Sequence, residues 1–112
     1  MAVVTQSSPF GSSTRTRVLL VLTLLSDSYP RELARLIGSP LSVVQKALRS
    51  LERDGLVAGR VVGRTRLCRL DPRYFAYADL RRFLERLSQP EDELRDRAAA
   101  LRRRPRRAGK PL

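Results

Sequence analysis

The chain has 112 residues, 42% of them hydrophobic, enough for one domain with a single modest core. Its 23 Lys and Arg against 11 Asp and Glu give a formal charge of +12, and a pI near 11.5 makes an anionic polymer the default partner. One cysteine and no histidine exclude an intrachain disulfide framework and a Cys/His zinc site, and a lone thiol fits a reducing cytoplasm.

Residues 1–12 mix Ser, Thr, Gln and Pro and read as a flexible arm. Ser12 or Ser13 can cap a first helix that runs to about Leu25. Its apolar positions are too dense for one stripe, so both main faces should be covered. Val18, Leu22 and Leu25 can face the helices that follow, and Leu19 a C-terminal helix or a second subunit. The run is far short of a membrane span, and no small-x-small cleavage site follows it, so a buried helix and no membrane association are expected. Arg15 and Arg17 near its start oppose the helix dipole, a conflict that a phosphate or plain solvent would relieve.

The organising stretch begins at Pro30, which suits a first helical turn. Leu33, Leu36 and Ile37 recur at i, i+3 and i+4, and Gly38 falls where a helix ends. Ser39 is expected to cap a second helix over about 40–54, with Pro40 at its first position. Val44, Leu48 and Leu51 form the second stripe, flanked by Leu41 and Ala47, and Gly55 stops it. Two helices, a short turn with Gly and a basic outer face make a helix-turn-helix pattern. Ser42, Val43, Gln45, Lys46 and Arg49 lie off the buried stripe and can address base edges and phosphates. The plainer alternative is an ordinary helical hairpin with a solvated face.

After Gly55 the period changes to alternation. Residues 56–62 and 65–70 read as strands joined by Gly63-Arg64, a tight hairpin spanning about 56–70. Cys68 and Leu70 can share one face, with Leu67 and Arg69 on the other, so Cys68 reads as a small core residue. Arg60, Arg64, Arg66 and Arg69 crowd the hairpin, and an external anion is the economical reason for placing like charges so close. Arg60, Arg64 and Arg66, with Ser42 and Arg49, are candidate phosphate contacts. Gln45 and Lys46 are the candidates for base edges, since Gln can pair with adenine and Lys with guanine.

Asp71-Pro72 ends the hairpin, and a helix is predicted over about 73–87. Tyr77, Leu80, Phe83, Leu84 and Leu87 give it an apolar stripe that must pack on the domain or on a second copy, and they are the candidate dimer interface. Gln89-Pro90 breaks it. Glu91-Asp92-Glu93 favours the start of a last helix, for which Leu94, Ala98 and Leu101 supply a thin stripe. From Arg102 the chain is a basic tail. Residues 1–70 carry 11 basic and 4 acidic side chains, a net +7; residues 71–96 carry 5 and 7, a net −2; residues 97–112 carry 7 and none. Positive charge thus concentrates on the helical pair with its hairpin and on the tail. The expected organisation is an arm (1–12), a domain with a C-terminal packing or dimerisation helix (13–88), and a short helix with a basic tail (89–112).

These segments resemble the winged-helix DNA-binding domains of bacteria and archaea, in particular the arsenic-repressor-like transcription regulators. The resemblance is carried by Arg31-Glu32-Leu33-Ala34-Arg35-Leu36-Ile37-Gly38, by Ser42 through Val57 with its Leu-Glu-Arg-Asp-Gly-Leu-Val ending, and by Gly63-Arg64-Thr65-Arg66-Leu67-Cys68-Arg69-Leu70-Asp71-Pro72. It covers roughly residues 14–88 and looks closest to winged helices that accompany minimal nucleotidyltransferases. It implies an α+β, mostly helical fold: a winged helix-turn-helix with a three-helix core, a β-hairpin wing and a C-terminal helix. In that family the second helix of the pair enters the major groove, the wing reaches the backbone or minor groove, and terminal helices make a homodimer.

The metal-sensing Cys/His/Asp clusters of some members have no counterpart here. Gly11-Ser12 followed by Ser26-Asp27 superficially matches a nucleotidyltransferase signature, but the paired carboxylate that two-metal chemistry needs is replaced by Ser28 and Tyr29. With no histidine, paired-acid motif or Gly-rich phosphate loop, no enzyme activity, cofactor or metal is expected. The expected function is sequence-specific binding of double-stranded DNA by a cytoplasmic, homodimeric transcription regulator. The alternatives are a non-specific DNA- or RNA-binding protein, or an antitoxin-like module that docks a separately encoded protein.

Overall fold

A computed structural model describes residues 8–102; residues 1–7 of the expected arm and residues 103–112 of the basic tail lie outside the described residues. The chain folds as α1 (Ser13–Leu25), β1 (Asp27–Ser28), α2 (Pro30–Ile37), α3 (Leu41–Arg53), β2 (Val57–Val62), β3 (Thr65–Leu70), α4 (Tyr77–Ser88) and α5 (Asp92–Arg102). It is an α+β arrangement of helices around α1 with one antiparallel sheet in the order β1-β3-β2.

Helix α1 is the hub. Ser12 caps it, its hydroxyl oxygen accepting the Arg15 N–H at 3.1 Å. Val18, Leu19, Leu20 and Val21 have no exposed surface, and α2, α3, α4, α5, β1 and β3 all pack against the helix. Two polar side chains share this burial because each finds a partner one turn back: Thr16 Oγ1 donates to the Ser12 carbonyl at 3.0 Å and Thr23 Oγ1 to the Leu19 carbonyl at 2.9 Å.

The stripes of α2 and α3 face inward as their spacing requires, with Leu33, Leu36, Ile37, Val44, Ala47, Leu48 and Leu51 all buried. The start of α3 differs from expectation. Pro40, at φ −59° and ψ 146°, occupies the cap position itself, and its carbonyl accepts from the Val43 and Val44 N–H groups at 3.1 and 3.2 Å. Ser39 is then one residue too far back to cap, and no side chain does. At the other end the Gly55 N–H reaches the Glu52 carbonyl at 3.1 Å and the Leu56 N–H the Leu51 carbonyl at 3.0 Å. This is a Schellman closure with Gly55 at φ +82°, and it brings Leu56 into the core beside Leu51. Only residues 54–56 separate α3 from β2.

The β2–β3 hairpin closes through the two-residue turn Gly63-Arg64, with Val62 opposite Thr65 and Val57 opposite Leu70. Strand β1 adds a short edge, Asp27 opposite Arg69 and Ser28 opposite Cys68. Two residues display no period, so this strand leaves no sequence signal. Ser26, at φ +77°, turns the chain out of α1 into it. Ser28 is buried and donates its hydroxyl proton to Glu32 Oε1 at 2.7 Å.

Helix α4 starts at Tyr77, four residues later than the sequence suggests. Asp71 accepts the Arg73 N–H on its carboxylate at 2.9 Å, and its carbonyl accepts the Tyr74 N–H at 3.0 Å, so residues 71–76 form turns instead. The Arg73 guanidinium also binds this carboxylate and holds the Asp71 carboxyl below its usual range. The thin stripe of α5 suffices because Leu94 and Ala98 fit against α1 and α2. No helix among the described residues is long and apolar enough to cross a membrane.

Candidate functional site

The candidate surface is built on α3. At about 100° per residue, Ser42, Gln45, Lys46, Arg49 and Arg53 fall on one side, opposite Val44, Ala47, Leu48 and Leu51. All five are exposed, while the opposite four are buried. Val43 lies on the flank at 42% exposure. The outer face of α3 is therefore polar and mainly cationic, with exposed Val43 and half-buried Glu52 at its edges. No ion pair among the described residues involves Lys46, Arg49 or Arg53.

Beside α3 stands the hairpin. Its register divides the arginines between two faces. Arg66 lies opposite Val61 and shares a face with Cys68 and Leu70, towards α3. Arg60 lies opposite Leu67 and Arg69 opposite Ala58, on the other face. Arg64 is at the turn. The four arginines thus do not make one patch; the structure brings Arg66 together with Gln45 and Arg49 around a groove of about 440 Å³, and sets Arg60 and Arg69 around a smaller recess on the far side.

Arg66 is held in place. Its Nη2 donates to Glu52 Oε1 at 2.8 Å across the groove. Its guanidinium lies over Gly59, where any β-carbon would collide with it. Glu52 and Gly59 are thus positioning residues for Arg66 that a reading of the sequence misses. The two-residue turn was a usable signal: it fixes the register, and the register fixes which arginine faces α3. Arg15 is a second case. Its guanidinium bonds Ser50 and, at 2.9 Å, Asp54, while its Nε donates to the Phe10 carbonyl at 2.6 Å. The charge opposing the α1 dipole is answered from within the chain, by the last turn of α3.

Cys68 closes the groove floor. It is 1% exposed, and burial, helped by the Glu52 carboxylate and countered by Arg66, pushes its thiol up from 9.0 to about 11. It is a core side chain, as its position on the strand suggested, and not a poised nucleophile.

The apolar stripe of α4 is divided. Leu84 is fully buried and Leu80 nearly so within the single chain, Tyr77 and Leu87 are half-buried, and Phe83 is 45% exposed. Phe10 packs its ring 5.9 Å from that of Phe83. Leu80 and Leu84 belong to the core, Tyr77 and Leu87 pack partly against it, and any surface the stripe offers a second chain centres on Phe83. Phe75, on the turns before α4, is 92% exposed. Comparison with known proteins finds no matching family model, no matching curated protein and no matching solved structure.

Proposed function

We propose that this chain is a winged helix-turn-helix protein of the arsenic-repressor-like kind that binds double-stranded DNA and regulates transcription, and that it is not an enzyme. The observation that carries this reading is the exposed stripe of Ser42, Gln45, Lys46 and Arg49 on α3, with Arg66 braced beside it on the hairpin. A helix about 10–12 Å across fits a B-form major groove. Gln45 and Lys46, at the middle of the stripe, are assigned to base edges. Ser42, Val43 and Arg49 contact the flanking sugar-phosphate surface, and Arg64 and Arg66 reach phosphates from the hairpin. Arg60 faces away from α3, so its phosphate lies beyond the hairpin, outside the groove that α3 fills. A homodimer joined through Phe83, Tyr77 and Leu87 would present two such surfaces to a two-fold operator.

Gel shifts of the full chain on DNA upstream of its own gene, with random duplex as competitor, test the reading. Retention of the specific complex under excess random duplex is expected, with its loss in Gln45→Ala and Lys46→Ala. The distribution of arginines over both hairpin faces favours one second reading, non-specific binding through charge alone. In that case random duplex competes equally and neither substitution changes the preference.

A further inference from the structure

Helix α3 and the β2–β3 hairpin carry cations throughout: Lys46, Arg49 and Arg53 on the helix, and Arg60, Arg64, Arg66 and Arg69 on the hairpin. Among all the residues of α3, β2, β3 and their turn there is one carboxylate, Glu52. It does not stand apart from the cations. Gln45, Arg49 and Glu52, at i, i+4 and i+7, line the groove from the α3 side, and Arg66 lines it from the hairpin. The lone acid of this surface therefore sits among the side chains assigned to DNA, where its charge opposes a phosphate.

Fold stability is a weak reason for that placement. Both partners of the Glu52–Arg66 pair are partly exposed, and exposed ion pairs add little to stability. What the pair fixes is the state of Arg66. Nη2 donates to Glu52 Oε1 at 2.8 Å, and the guanidinium lies over Gly59. Its charge is already matched, and its remaining N–H groups are held in one direction. A phosphate gains from Arg66 only by arriving at those N–H groups along that direction, as it does when α3 is seated on its own site. A phosphate arriving elsewhere must break the ion pair first. We propose that Glu52 is a specificity-determining residue of the DNA surface: by holding Arg66 it withholds one phosphate contact from badly seated DNA, and so widens the gap between operator and random duplex. This rests on the DNA-binding reading above. Glu52 acts through Arg66, as a positioning residue, and reads no base itself.

The test compares the full chain with Glu52→Gln, Arg66→Gln and the double variant, each checked for folding by thermal melts. Two probes are used: a duplex enriched by the wild type from a random pool, and the unselected pool. Fluorescence anisotropy over a salt series gives affinity and slope. Glu52→Gln should bind the unselected pool about two- to fivefold more tightly, the worth of an exposed ion pair expressed as a fold-change. Its salt slope on the pool should steepen by about one. Affinity for the enriched duplex should rise by less, so the preference narrows. In the Arg66→Gln background the same change should bring no gain, because there is no guanidinium to release. Unchanged preference in Glu52→Gln overturns the proposal, as does an equal gain with and without Arg66. Weakened binding of the enriched duplex alone also overturns it, since Glu52 is then reading a base, as a carboxylate can at cytosine. If the wild type enriches no duplex at all, the DNA-binding reading falls first and the proposal falls with it.

Discussion

Helices α1 and α3 have the same length, 13 residues, and opposite economies of surface. Helix α1 is enclosed on every side, so leucine, valine and even threonine are buried around its whole circumference. Helix α3 buries one side and leaves the other bare, polar and cationic. A helix whose every face is covered cannot be read for a partner, because packing accounts for each residue. A helix with one uncovered, mainly basic face has residues that packing does not account for, and the proposed function rests on those residues.

The contrast can be broken in several ways. The largest effect should come from ionic strength. If α3 and the hairpin neutralise about 6–10 phosphates, DNA affinity falls by about 10³–10⁵ between 50 and 200 mM salt; a flat response, measured by fluorescence anisotropy, would remove the electrostatic half of the reading. Next is Leu19→Ala, which should cost about 2–5 kcal/mol of stability in urea denaturation, because the α1 site is closed on all sides and collapses poorly. Gln45→Ala on α3 is the counterpart. It should change stability by no more than about 0.5 kcal/mol and weaken operator binding by about 1–3 kcal/mol.

Cys68 sharpens the comparison through pH. Its thiol ionises near 9.0 when unfolded and near 11 when folded, so the neutral form is the one the fold favours. The associated stability is complete below pH 9, declines as pH rises towards 11, and should be abolished as a pH dependence in Cys68→Val, as followed by thermal melts. The smallest effect should be that of Gly59→Ala. Its β-carbon displaces only the tip of a flexible side chain, so stability should shift by less than about 1 kcal/mol. Loss of the Arg66 contact should then lower the salt slope of DNA binding by about 1.

What could be read beforehand was what local period and punctuation encode. The stripes of α2 and α3, the stop at Gly55, the hairpin turn at Gly63-Arg64 and the inward side of Cys68 all follow from residues within a few positions of one another. What could not be read depends on partners far apart or on signals too short. Strand β1 has two residues. Arg15 meets Asp54, 39 positions away, and Arg97 meets the Leu36 carbonyl, 61 away. Helix α4 starts later than its sequence suggests for a local reason: the Asp71 carboxylate competes for a backbone N–H group that a helix would use. The apolar stripe of α4 is legible as a stripe, but whether it meets α1 or another chain is a tertiary fact; α4 packs on α1, and Leu84 is fully buried within the chain.

The strand order β1-β3-β2 leaves β2 as an edge strand, its outer rim unpaired by any other strand among the described residues. Such a rim is a template on which a foreign strand can zip up, and Val61, 71% exposed, makes it stickier. The guanidinium of Arg60 on that same strand acts as a guard, repelling an identical strand that approaches in register. Neutralising it should lower the concentration at which the protein begins to aggregate.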